Sequence, residues 1–186
     1  MRYLFGIFAT IGLIVLILVL LFRGGGSDEA KPKTLVMSDY VNSGSFAEYT
    51  IDGPVQADQQ HESLTIRVDA DQVSLTVNRG YQGDTINTQT YSNNSDAYLV
   101  FLKSLQTEGF TLLNPDSKFK DERGVCPLGQ RAVYSFDNGS KQVFRSWSTS
   151  CNTGTFKGQA GAVRTLFQKQ VPDYSQQTRG THLYAY

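Results

Sequence analysis

Three hydrophobic patterns divide the 186-residue chain. The first is an apolar run, residues 3–22 (YLFGIFATIGLIVLILVLLF), with no charged position. The second is strict alternation. Leu64, Ile66 and Val68 alternate with polar neighbours, and Val73, Leu75 and Val77 do the same after Asp69-Ala70-Asp71-Gln72. That pattern predicts an antiparallel hairpin with one buried face. Residues 45–52 (SFAEYTID) and the threonine-rich stretch 84–91 read as further strands. The third pattern has helical spacing. Tyr98, Phe101, Leu102 and Leu105 form one apolar stripe, with Asn94 or Ser95 as cap and Gly109-Phe110 as a Schellman stop. A second helix is predicted over residues 159–170, with Ala160, Val163, Leu166, Phe167 and Val171 on one side and Pro172 ending it. The expected fold is α+β: an N-terminal transmembrane helix, then one domain with an antiparallel sheet and two helices on one face.

Twenty uncharged residues, broken in their apolar run only by Gly6, Thr10 and Gly12, span roughly 30 Å as a helix, the thickness of a bilayer's hydrocarbon core. A cleavable signal would carry a shorter apolar region and an A-x-A site. Here the run is followed by Arg23-Gly24-Gly25-Gly26, so an uncleaved anchor is the preferred reading. The expected organisation is an anchor at 1–23, a flexible linker at 24–33 (GGGSDEAKPK), a domain at 34–172 and a tail at 173–186. In that tail Tyr174, Leu183, Tyr184 and Tyr186 either dock as an edge strand or stay loose. Arg2 precedes the span, whereas Arg23, Lys31 and Lys33 follow it, so flanking charge alone does not orient it. Four of the 17 basic and two of the 17 acidic residues precede Thr34, leaving 13 and 15 in the domain, a net charge of −2. That balance argues against nucleic acid as a partner.

The two cysteines bear on location. Residues 130–136 and 141–148 read as strands about an Asn138-Gly139 hairpin turn, a pair suited to type I′ geometry. With those two residues as the loop, facing positions sum to 277, and Cys126 with Cys151 meets that sum. The pair would be of the non-hydrogen-bonded type, with Cα atoms about 4.5 Å apart, within reach of a disulfide. Pro127 and Gly129 can interrupt such a ladder, and two unpaired thiols are the alternative. A structural disulfide implies an oxidising compartment, and so an extracytoplasmic domain.

Chemistry is sparse. Gly154, Gly158 and Gly161 open the second helix after a strand, but their spacing matches no phosphate-loop motif, and a strand-to-helix loop explains them. His61 and His182 lack partners at catalytic or metal-ligand spacing and read as surface residues. Asp69 and Asp71 read as a hairpin turn and not as calcium ligands. The assumed register puts Arg145 on one face with Tyr134, Val143, Trp147 and Phe136. Arg145, Trp147 and Tyr134 are therefore the candidate binding face, and a buried Arg145 would need an acidic partner. No catalytic residue, cofactor or metal is expected. A hydrolase would require Glu48, Asp52 and Glu62 to converge in one cleft.

The segment from Cys126 to Tyr174 (CPLGQRAVYSFDNGSKQVFRSWSTSCNTGTFKGQAGAVRTLFQKQVPDY), with the preceding GYQGDTINTQTYSNNSDAYLVFLKSL, resembles small exported proteins of the candidate-phylum Saccharibacteria. Those carry one N-terminal membrane segment and an exported domain with two cysteines. The resemblance implies the envelope of an episymbiotic bacterium and no particular activity, so it transfers no functional residues. Taken together, the expectation is a single-pass plasma-membrane protein, held in the lipid bilayer through residues 3–22, with an extracytoplasmic binding or adhesion module. Its partner would be an envelope or host protein or a glycan. The alternatives are an inhibitor of an extracytoplasmic protease and, less favoured, an envelope hydrolase.

Overall fold

The computed structural model describes residues 35–42, 44–181 and 183. The predicted anchor and linker lie outside the described residues, as do His182 and the last three positions of the tail. Among the described residues no helix is long and apolar enough to cross a membrane.

Six strands form one antiparallel sheet in the order β4-β3-β2-β1-β5-β6. They are β1 (Ser45–Asp52), β2 (Glu62–Asp69), β3 (Gln72–Arg79), β4 (Asp84–Ser92), β5 (Arg131–Asn138) and β6 (Lys141–Thr149). The first four make a meander. Helix α1 (Ser95–Thr107) then carries the chain from the β4 edge to β5, which lies beside β1. Helix α2 (Ala160–Gln168) and a short α3 (Tyr174–Gln177) follow β6.

Alternation builds the core, as predicted for β2 and β3 and as β1 also shows. Ala47, Tyr49, Ile51, Leu64, Ile66, Val68, Val73, Leu75 and Val77 are all buried on one face of the sheet. Both long helices pack there. Tyr49 stacks on Phe167 of α2 with ring centroids 5.5 Å apart, and Phe101 of α1 meets Phe167 edge-on at 5.1 Å. The ends of α1 follow the sequence signals. Asn94 Oδ1 accepts from Ala97 N at 2.9 Å. Phe110 N donates to Leu105 O and Gly109 N to Gln106 O, the Schellman pair, with Gly109 at φ 74°. Asp69 Oδ1 caps the β2–β3 turn by accepting from the amides of Asp71 and Gln72. The tail docks in part: α3 forms within it, and Leu183 is fully buried with its carbonyl accepting from Gln130 Nε2 at 2.6 Å.

The hairpin register differs from the expected one. Asn138 pairs with Lys141, so Gly139 (φ 61°) and Ser140 are the two loop residues, and facing numbers sum to 279. A bulge then leaves Val143 unpaired, and beyond it Phe136 faces Phe144 and the sum becomes 280. One consequence concerns the candidate face. Tyr134 pairs with Ser146 on the core side, whereas Arg145 pairs with Ser135 and Trp147 with Val133 on the opposite side. Tyr134 and Phe136 therefore do not share a face with Arg145 and Trp147. The cysteines also lie outside the ladder, in the turns flanking β5 and β6. They nevertheless form the Cys126–Cys151 disulfide, with Cα atoms 5.9 Å apart.

The open face of the sheet is polar. A row of threonines (Thr88, Thr76, Thr65, Thr50) crosses four strands, and Thr50 and Thr65 bond through their hydroxyls at 2.9 Å. Glu48 sits one row away, between Arg67 of β2 and Ser135 of β5. Burial raises its pKa above the ordinary 4.5, Arg67 pulls it back down, and Asp137 adds to the rise. An acid raised in this way is penalised when ionised. The penalty is full above the raised value and absent below the unfolded one. Glu48→Gln is expected to unfold at a higher temperature than wild type at pH 7, with the gap closing as pH falls toward 4. Thermal melts across that range test it; a gap that widens at low pH would reverse the assignment.

Candidate functional site

A connected cluster of buried polar groups lies where β1 ends, and its first member is His61. Sequence reasoning placed His61 on the surface, but it is 5% exposed. Its Nε2 lies 2.9 Å from Asp52 Oδ1, and its Nδ1 lies 3.2 Å from the carbonyl of Pro54. The ring stacks on Tyr81, with centroids 4.1 Å apart and planes 12° from parallel. Arg131, the cross-strand partner of Asp52, bonds the other oxygen of that carboxylate and the carbonyl of Gly53. One carboxylate thus serves two buried cationic or donor groups. No spacing signal could have revealed this set, because Arg131 is 79 positions from Asp52 and meets it only through the β1–β5 pairing.

The arrangement is not that of a general base. Both ring nitrogens of His61 face oxygen acceptors, so both contacts are made only when each nitrogen carries hydrogen. Among the described residues neither nitrogen bonds a hydroxyl or thiol. The three carboxylates that a hydrolase would bring together are dispersed. Glu48 lies on the open face, Asp52 is held by His61 and Arg131, and Glu62 is buried against Arg79 Nη2 at 2.9 Å. Among the described residues no group of three or more His, Cys, Asp or Glu side chains is placed to hold a metal ion.

The constellation also supports an exposed aromatic ring. Tyr81 is half exposed above His61, and its hydroxyl donates to Gln56 O at 2.9 Å while accepting from Gln56 N at 3.1 Å. Its amide is held by Asp58 Oδ1 at 2.8 Å. Val55, next to Gln56, is also half exposed, and its amide donates to Pro127 O at 2.7 Å. Pro127 belongs to the turn Cys126-Pro127-Leu128-Gly129, closed by Gly129 N donating to Cys126 O at 3.0 Å and tied by the disulfide. Leu128 at its tip is 80% exposed. Three apolar side chains, Val55, Tyr81 and Leu128, are thus exposed on backbone tied by hydrogen bonds and, at Leu128, by the disulfide.

The predicted face is only half assembled. Trp147 stands on the open side of the sheet yet is 1% exposed, because the segment between α1 and β5 folds over it. Its Nε1 donates to Lys120 O at 3.4 Å, and Arg145, which is exposed and not in the core, pairs with Glu122. Arg145 and Trp147 together line a cavity of about 430 Å³ with Leu113, Pro115 and Lys120. Tyr134 lines a different one, of about 200 Å³, under α2, where its hydroxyl meets Ser148 Oγ at 3.1 Å. Burial raises the pKa of that hydroxyl, Ser148 and Arg164 opposing the rise. The glycines before α2 are packing devices. A Cβ on Gly154 would overlap the carbonyl of Trp147, and one on Gly158 the carbonyl of Gly109. No protein-family model matches the chain, and comparison with curated proteins finds no relative.

Proposed function

We propose that the chain is a membrane-anchored, extracytoplasmic binding or adhesion module whose contact surface is the braced end carrying Val55, Tyr81 and Leu128. The observation that carries this reading is Leu128, 80% exposed on a turn tied by the Cys126–Cys151 disulfide. An exposed leucine on a rigid turn loses little entropy when it enters a partner's pocket, and a neighbouring tyrosine is a residue type favoured at binding hot spots. The apolar run at residues 3–22 supports the anchor, and the disulfide supports an oxidising location. The resemblance to exported Saccharibacteria proteins adds a bacterial envelope as the setting, with an envelope or host protein as the favoured partner.

The test is crosslinking capture from envelope and host fractions with the full chain in detergent. Leu128→Asp is expected to weaken binding of the captured partner at least about tenfold, as for a central interface residue. Its melting temperature should match wild type, because the side chain it replaces is solvated. Capture indifferent to Leu128→Asp and Val55→Asp would end the reading. The same exposed turn also favours a second reading, an inhibitor that inserts Leu128 into an apolar specificity pocket of an extracytoplasmic protease. Residual protease activity in the presence of the purified chain separates the two.

A further inference from the structure

The two edges of the sheet are managed differently. At β6 the outer side is guarded: Gly154 bridges to Ser148, Thr155 and Phe156 donate to Trp147 O at 2.9 Å, and the strand carries Lys141 and Arg145. Beside it, the bulge at Val143 breaks the regular ladder. These are the means by which proteins keep an edge from pairing. The β4 edge has almost none of them. Among the described residues nothing pairs with its outer side. After Asp84 its residues are Thr-Ile-Asn-Thr-Gln-Thr-Tyr-Ser, without a charge or a proline. A register irregularity leaves Ile86 unpaired, and from Asn87 to Ser92 the strand runs regularly against Val77 to Gln72. Threonine and tyrosine favour extended backbone, so this stretch is held ready as a pairing template.

We infer that the β4 edge is a self-association surface, pairing antiparallel with β4 of a second copy to make one continuous twelve-stranded sheet. A two-fold contact needs a strand complementary to itself, and β4 is. For the two sheets to keep their helices on the same side, residues of like facing must meet. Thr88, Thr90 and Ser92 then pair among themselves on the open face, and Asn87, Gln89 and Tyr91 on the other. Every such pair is neutral, so no like charges oppose each other, and the outward amides and carbonyls of both copies gain partners. The threonine row would extend across the joint. This surface is independent of the Leu128 end.

The experiment uses the full chain in detergent micelles, with protein mass read by light scattering over a concentration series. Wild type is expected to dimerise. Thr88→Lys combined with Thr90→Lys is expected to weaken self-association at least about tenfold by setting like charges opposite each other. Thr88→Glu with Thr90→Glu should do the same. Mixing the two double variants should restore a dimer of one copy each, which also shows that both still fold. A monomeric wild type, a lysine variant that still dimerises, or a mixture that stays monomeric would each overturn the inference.

Discussion

Asp52→Ala is expected to cost about 3 kcal/mol of stability, the largest effect of any single substitution outside the apolar core. The carboxylate accepts from His61 on one oxygen and from Arg131 on the other, and those side chains are 6% and 7% exposed. Removing it leaves both without their acidic partner in a site that water reaches poorly, and breaking a buried pair in this way typically costs about 3–5 kcal/mol. Asp52 itself is 30% exposed, which places the expectation at the lower end. The Nε of Arg131 already lacks a partner among the described residues, so the guanidinium has no ready substitute. Urea unfolding of the full chain measures the loss. Asp52→Ala combined with Arg131→Met should recover part of it, because the orphaned charge is removed as well. A loss under about 1 kcal/mol would mean that the cluster behaves as a surface pair, worth little once solvated.

Removing the disulfide is the second large change. Cys126→Ala with Cys151→Ala frees a loop spanning 25 positions, and closing a loop of that size stabilises by about 3 kcal/mol in the chain-entropy picture. For a domain near 150 residues that corresponds to a melting temperature lower by roughly 6–12 °C. The functional effect should exceed the thermal one. The disulfide fixes the turn that carries Leu128, and Val55 leans on the same turn through Pro127. Partner binding is therefore expected to weaken at temperatures where the variant is still folded. Binding unchanged in the folded variant would show that the turn does not need its tie. Thiol labelling in intact cells, with and without reductant, tests the location. Labelling that requires reduction supports an extracytoplasmic domain, and free labelling in denaturant alone removes that support.

Local patterns carried the secondary structure well. Alternation placed β2 and β3, the spacing of Tyr98, Phe101, Leu102 and Leu105 placed α1, and Asn94 and Gly109 marked its ends. These depend on residues within a few positions of one another. The β5–β6 register was lost because two small features act together. Gly139 and Ser140, not Asn138 and Gly139, form the loop, and the bulge at Val143 shifts the pairing once more. One position of slip exchanges the faces of a strand. That is why Tyr134 was assigned to the side of Arg145 and Trp147 when it belongs to the core. The cysteine pair survived the error because a disulfide needs only Cα atoms within several ångströms, and the turns around Cys126 and Cys151 meet that without any ladder.

The sequence by itself determined which stretches alternate, where α1 begins and ends, and that the two cysteines had to be weighed as a pair. Each follows from side-chain size, polarity and backbone preference over a short span. The tertiary structure alone decided what stands beside what. It set β5 against β1, bringing Arg131 to Asp52 and burying a histidine that the sequence leaves without a partner. It folded the segment after α1 over Trp147, hiding an aromatic on the open face, and among the described residues it left one edge of the sheet guarded and the other unpaired. Contacts between residues tens of positions apart are selected by the energy of the whole packing arrangement, so no local window of the chain contains them.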